Sequence, residues 1–465
     1  MSTKSKTEDT PKRYTKKRGK KLPEHIDVTN PNAAGIDLGS RGHYVSVPED
    51  RDDEPIRRFG CYTAALHEMG KWLVQCGITT VAMEATGVYW SPVFRVLEGY
   101  GLELILVNPR HIKYVPGRKT DVTDCQWLRQ LHTYGLLQGG FVPPQQVASV
   151  RTYWRQRREL VQCCSREVQH MQKAFTEMNV QLHVVLSDIT GVSGLKIVRA
   201  IVAGERDPAT LARLANAQVK APREEIIQAL TGHYTQECLF VLKQSLDAYD
   251  FFQKKIIECD EQLAGYLVHF ESKADPASLP EPQRKTRRKN QPHFDLRREM
   301  FRITGVDLTK IDGIDSLTAF TVLSEIGFDV LAFPTVGQFT SWLGLCPNNI
   351  ITGDKVKRRK TKPNANRAAT ALRVGAQSLW QSKSYLGATY RRFRGRLGPA
   401  KGTTATAHSL ARVVYHMLKY GEEFVDKGVE HLEKQHQERA IKALIRSAKH
   451  LKLSILDPET GECLT

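Results

Sequence analysis

A chain of 465 residues is too long for one ordinary hydrophobic core, so two or three domains are expected. It has no uninterrupted apolar stretch near the roughly 20 residues of a membrane span, no signal-peptide core, and nine cysteines without metal-finger spacing, which argue for reduced thiols in a cytoplasm rather than a membrane-spanning or disulfide-stapled secreted protein. Sixty-eight Lys and Arg against fifty Asp and Glu leave a formal charge of +18, which points to a polyanionic partner, nucleic acid by default.

Residues 1–30 carry Lys4, Lys6, Lys12, Arg13, Lys16, Lys17, Arg18, Lys20 and Lys21 with almost nothing apolar, the composition of a disordered tail suited to non-specific phosphate contact. Residues 31–145 alternate strands and helices. Strand patterns cover AAGID (33–37), HYVSVP (43–48), Ile56–Phe59, TTVAME (79–84) and Leu102–Val107. Helices are expected over Ala64–Val74 and Pro92–Leu97. Three hairpin-like strands followed by strand–helix alternation predict a mixed sheet with helices packed on it. A basic run then supplies Arg110, Lys113, Arg118 and Lys119, and a helix opens with Thr120 as its cap and Trp127, Leu128 and Leu131 on its apolar face.

Residues 146–270 are helical. The apolar positions Cys164, Val168, Met171, Phe175, Met178 and Leu182 form a heptad seam, and Leu242, Leu246, Tyr249, Phe252, Ile256, Cys259 and Leu263 form a second. The two long helices are expected to make either an antiparallel hairpin or a dimer contact, with a smaller helical region (Val192–Leu230) between them; Arg151, Arg155, Arg157 and Arg158 at the root are candidates for nucleic-acid contact. The Pro-rich, then basic stretch 271–292 reads as a linker and domain boundary.

Residues 293–425 form a further, mostly helical unit. KIDGIDSLTAFTVLSEIG (310–327) has the glycine turn and apolar helix of a helix–hairpin–helix element, a pattern shared with an ordinary tight turn between helices. An apolar helix then breaks at Gly344 and Pro347, and a polar loop is expected to present Thr352 and Gly353 beside Lys355, Lys357, Arg358, Arg359, Lys360 and Lys362, ahead of a helix holding Arg367 and Arg373. A hydroxyl facing clustered cations is what nucleophilic attack on a phosphodiester requires. Arg391, Arg392, Arg394, Arg396 and Lys401 add a second basic strip; residues 426–465 are a charged helix and a tail.

Four carboxylates stand out: Asp37 and Glu84 at strand ends, and Asp121 and Asp124 three apart, hence on one face, at a helix start. Singly, each is the residue type of a turn or cap. Brought together they would repel unless hard cations lay between them, and an all-oxygen donor set suits Mg²⁺ or Mn²⁺ in phosphodiester chemistry. Their order along the chain is the one a ribonuclease-H-like fold needs.

On GIDLGS with Asp37, VAMEATGVYW with Glu84, NPRHIKYVPGRKTDVTDCQWL with Asp121 and Asp124, and FTSWLGLCPNNIITGDK followed by NANRAATALR, the chain resembles the DEDD-type insertion-sequence transposases, the bridge-RNA-guided recombinases, over roughly residues 33–420. The resemblance implies a RuvC-like, RNase H-type mixed α/β domain, a coiled-coil insertion and a helical C-terminal transposase domain. It further implies Mg²⁺ on the four acids, a serine nucleophile that forms a 5′-phosphoserine linkage, a homo-oligomer with composite sites, and a guide RNA pairing with donor and target DNA. A cytoplasmic, nucleoid-associated enzyme is the corresponding expectation. Where the family has Ser-Gly-Gly-Lys, this chain has Thr352-Gly353-Asp354-Lys355. Threonine keeps the hydroxyl, but its β-methyl restricts the rotamer and hinders attack; Ser341 is a poorer substitute on an apolar helix. Two alternatives stay open: a junction resolvase or nuclease using only the acids, and a catalytically impaired nucleic-acid-binding scaffold.

Overall fold

The computed structural model describes residues 27–109, 121–281, 289–352, 355–361 and 366–421, with scattered positions between 441 and 456. The chain divides into two compact units, residues 1–142 and 143–465.

The first unit is built on a five-stranded sheet of order β3-β2-β1-β4-β5, with β1 (Ala33–Leu38), β2 (Gly42–Ser46), β3 (Ile56–Gly60), β4 (Thr80–Glu84) and β5 (Glu103–Val107). The first three strands are antiparallel neighbours, whereas β1–β4 and β4–β5 are parallel, so the expected mixed sheet is observed. Side chains alternate between its faces. Ile36, Leu38, Val45, Val81, Met83 and Leu106 form one core with Leu66, Met69, Trp72 and Leu73 of α1 (Thr63–Gln75) and with Val93 and Leu97 of α2 (Trp90–Glu98). The other face is smaller: Ala82 and Val107 pack against Leu128 of α3 (Asp121–Thr133). Burying both faces explains why β1 and β4 read as continuous apolar runs.

The second unit begins with α4 (Gln145–Glu177), which pairs antiparallel with α9 (Gln236–Leu267). Tyr153 meets Tyr266 at one end, and Cys164 lies against Tyr249 farther along. Of the two expected arrangements, these helices adopt the hairpin within one chain. The first seam does not stay on one helix as far as Leu182: α4 stops at Glu177, Asn179 takes φ +56°, and the Val180 N–H returns to the Phe175 carbonyl (2.8 Å), closing a left-handed helix cap. Met178, Val180 and Leu182 are nevertheless buried, because the chain folds into the short helices α5 (Leu182–Val185), α6 (Val192–Val202), α7 (Pro208–Arg213) and α8 (Arg223–Leu230) around the same core.

At its base the hairpin is welded to the C-terminal helices. Arg157 and Asp260, 3% and 1% exposed, form a buried ion pair, and the Asp260 carboxylate also accepts from the His293 backbone N–H (3.1 Å). Trp154 lies under the Arg157 guanidinium, packs on Phe320 and donates to the Thr321 hydroxyl (3.0 Å). Arg155 makes a fork to Glu325 (2.9 and 2.7 Å) on α11 (Ser316–Ile326). Arg302 of α10 (Leu296–Thr304) donates to the carbonyls of Leu267 and Phe270. The stretch 271–292 therefore runs within the second unit, and its residues 282–288 lie outside the described ones.

Beyond α11 come α12 (Val336–Trp342), the two-stranded hairpin β6 (Pro347–Thr352) and β7 (Lys355–Thr361), then α13 (Arg367–Ser378), α14 (Tyr385–Leu397) and α15 (Pro399–Tyr420). At the glycine turn before α11, Gly313 has φ +83°, and a Cβ at Gly313 or at Gly375 of α13 would run into the other's carbonyl oxygen. Asp315 caps α11 by accepting from the Thr318 N–H (2.9 Å). Asp260→Ala strips the partner from a buried guanidinium and is expected to cost about 3–5 kcal/mol, read as a lowered urea midpoint for the second unit.

Candidate active site

Asp37 and Glu84 stand next along β1 and β4 after the last paired residues, Ile36 and Met83, at the C-terminal ends of two parallel strands. Both share a face with Gly35 and Ala82 two residues earlier, which is the face covered by α3. The C-terminal end of α3 is pinned to the opposite edge. His132 Nε2 meets the Thr80 hydroxyl (2.9 Å), the His132 carbonyl accepts from Asn30 Nδ2 (2.8 Å), and the Thr133 carbonyl accepts from the backbone of Thr29 and Asn30. Midway, a Cβ on Gly35 would collide with the Cys125 carbonyl and the Arg129 amide, so helix and strand touch backbone to backbone. The helix thus runs antiparallel to β1 and β4, and its first turn, with Asp121 and Asp124, reaches the rim that carries Asp37 and Glu84.

Two observations corroborate this. Cys125 is fully buried, and its thiol is pushed up to about 12, first by burial and then by the negative charge of Asp37. It is held protonated with its Sγ toward the Val122 carbonyl, as a packing residue. Arg129 Nε donates to Ser46 on β2 (3.1 Å), fixing the helix laterally. Asp37, Glu84 and Asp124 are half-buried and Asp121 is exposed, and Glu84 accepts from the Thr86 hydroxyl (3.1 Å). In kind, carboxylates are the donors that a hard divalent cation takes. Among the described residues, however, no three His, Cys, Asp or Glu side chains are gathered closely enough to hold a metal.

Thr352 differs from expectation in setting: it ends β6 and pairs with Lys355 across a two-residue connection, so it stands exposed at a hairpin tip instead of in an irregular loop. The connecting Gly353 and Asp354 lie outside the described residues, as do Lys362 and the run Arg110, Lys113, Arg118 and Lys119; of Lys355, Lys357, Arg358, Arg359 and Lys360 the structure describes the strand they share. Arg367 opens α13 and pairs with Glu159 of α4 at 3.5 Å, an exposed contact of little worth. Ser341 is exposed near the end of α12. Of the four arginines at the hairpin root, Arg151, Arg155 and Arg157 are committed to Glu325 and Asp260; Arg158 has no ion pair among the described residues.

Two sequence-family models match the chain in this order: one for DEDD transposases of the IS110 type over residues 34–180, and one described as the IS116/IS110/IS902 transposase family over residues 307–391. The chain belongs to the IS110-type DEDD transposases. The first match spans the sheet and all four rim acids, and the second spans the Thr352 hairpin and α13. No curated protein matches the transposase. Among its described residues, no helix is long and apolar enough to cross a membrane.

Residue-type patterns did not single out two features of the transposase. Tyr44, opposite Asp37 in the β1–β2 register, shares the face of the acids. From Lys355 to Gly421 the chain has sixteen Lys and Arg and no Asp or Glu, so this segment holds nearly all of the net +18; a running charge count exposes it where isolated basic strips do not.

Gly35→Ala is expected to lift α3 from the sheet and lower the stability of the first unit by about 1–3 kcal/mol in chemical denaturation. Burial also lowers the pKa of His132 and of His43. The unfolded chain, with histidines near 6.5, then binds more protons than the folded one at acidic pH. Stability contributed by these neutral imidazoles is complete above about pH 6.5 and declines as pH falls toward their folded values. His132→Gln flattens part of that decline in urea melts between neutral and mildly acidic pH.

Proposed function

We propose that this transposase cuts and rejoins DNA strands of a mobile element with two elements of chemistry: the acid rim of the first unit and the Thr352 hydroxyl of the second. What supports the reading is the antiparallel seating of α3 across Gly35, which directs the first turn of α3 toward the strand ends that carry Asp37 and Glu84. Asp37, Glu84, Asp121 and Asp124 would hold Mg²⁺ or Mn²⁺. The ion would supply Lewis-acid stabilisation of phosphate oxygens.

Thr352 Oγ attacks the scissile phosphorus, its proton passes to the departing 3′-oxygen, and a 5′-phosphothreonine linkage and a free 3′-hydroxyl result. Attack by a second strand's 3′-hydroxyl on that linkage restores a phosphodiester and returns the threonine. An exposed strand end suits an attacking oxygen, because the hairpin backbone fixes it while the tip remains accessible. Arg110, Lys113, Arg118 and Lys119, which precede Asp121 in sequence, and Lys355, Lys357, Arg358, Arg359, Lys360 and Arg367, which follow Thr352 in sequence, are the proposed phosphate contacts. We further propose a homo-oligomer and a bridge RNA that selects donor and target DNA by base pairing, as the family resemblance implies.

On a nicked suicide substrate, Thr352→Ala is expected to abolish a covalent protein–DNA adduct, whereas Thr352→Ser, which removes the hindering methyl, retains it and forms it faster. Asp37→Asn or Asp121→Asn, or chelation of divalent ions, is expected to reduce cleavage at least about a hundredfold while changing DNA affinity less than about threefold. Cleavage without an adduct, still dependent on the acids, would establish the water-using nuclease instead. Full activity of the intact element with Asp37→Asn would establish the scaffold.

A further inference from the structure

The acid-free segment displays one aromatic ring in an unusual setting. Trp380 lies in the short turn between α13 and α14 and is 46% exposed. The Arg394 guanidinium sits 4.3 Å from its ring centroid, and Tyr390 meets it edge-on at 6.3 Å. Arg391 holds the turn in place, donating to the carbonyls of Trp380 (3.1 Å) and Ser382 (2.6 Å). Arg392 and Arg396 are exposed on the same helix, which contains no carboxylate, and neither has an ion pair among the described residues.

A buried tryptophan would need no cations, and a cationic face needs no open indole. Their combination matches a nucleobase stacked on a ring while adjacent phosphates neutralise the arginines. A duplex keeps its base faces internally stacked and offers only phosphates; an unpaired base offers its face as well. We propose that Trp380, backed by Arg394, is a stacking platform for an unpaired base in a single-stranded stretch of nucleic acid. This rests on the strand-transfer reading and deepens it, because strand exchange requires that unpaired segments be held.

The test measures binding of the full-length protein to three labelled short oligonucleotides of one sequence, as single-stranded DNA, single-stranded RNA and duplex DNA, by fluorescence anisotropy at fixed salt. Trp380→Ala is expected to weaken binding of a single strand at least fivefold, the lower end of about 1–3 kcal/mol per stacked base, and of duplex less than about twofold. Trp380→Phe, which keeps an aromatic face, is expected to restore most of the loss. The single-stranded form that loses affinity identifies whether DNA or RNA occupies the platform. Unchanged single-strand binding, or equal loss on duplex, overturns the proposal, as does failure of Trp380→Phe to rescue when both variants melt like the wild type. Asp37→Asn run alongside separates the two readings: a neutral Trp380→Ala with cleavage still lost in Asp37→Asn sinks the platform and leaves the strand-transfer reading standing.

Discussion

The backbone contact between Gly35 and α3 is the constraint on which the proposed site depends. A strand and a helix normally keep side chains between them; here the absent Cβ lets the Cys125 carbonyl and the Arg129 amide rest on β1. That close approach, together with the His132–Thr80 anchor, fixes both the depth and the direction of α3. Direction matters most, because reversing the helix would carry Asp121 and Asp124 to the sheet edge away from Asp37 and Glu84. The carboxylates stay half-buried to exposed, while the thiol of Cys125 is kept neutral.

In the second unit, charge is sorted by burial. Arg157 is desolvated, so it must be paired, and Asp260 with the His293 amide satisfies it. Arg151 and Arg155 share Glu325 and bind the hairpin to α11. These arginines are structural, although in sequence they look like their neighbour Arg158. Downstream, no Asp or Glu occurs between Lys355 and Gly421. A protein with an average surface mixes both signs to limit self-repulsion; concentrating one sign in a single segment is tolerable when an external polyanion supplies the other.

The Thr352 hairpin combines the two themes. Its second strand, KVKRRKT, alternates poorly and carries five cations, so self-repulsion opposes a two-stranded ribbon that is marginal in isolation. Neutralisation by phosphate would relieve that repulsion and stiffen the element that bears the hydroxyl. On the proposed strand-transfer reading, substrate binding and ordering of the Thr352 hydroxyl would be linked.

Local chemistry determined much of the transposase from sequence alone. Apolar runs and their periods gave the five strands, α1 to α3 and the two long helices, because burial on one or both faces imprints directly on residue order. Charge gave the kind of partner, and the two motif blocks gave the family. Tertiary structure decided what depends on contacts distant in sequence: that the long helices pair within one chain, that 271–281 and 289–292 belong to the second unit, and that Thr352 ends a strand. It also decided which arginines are spent on Glu325 and Asp260 and which remain, since residues 170 positions apart along the chain leave no periodic trace of their pairing. The four acids were legible as residues, but the relation of the elements that carry them was not, because it follows from the parallel register of β1 with β4 and the antiparallel seating of α3, neither of which a local pattern encodes.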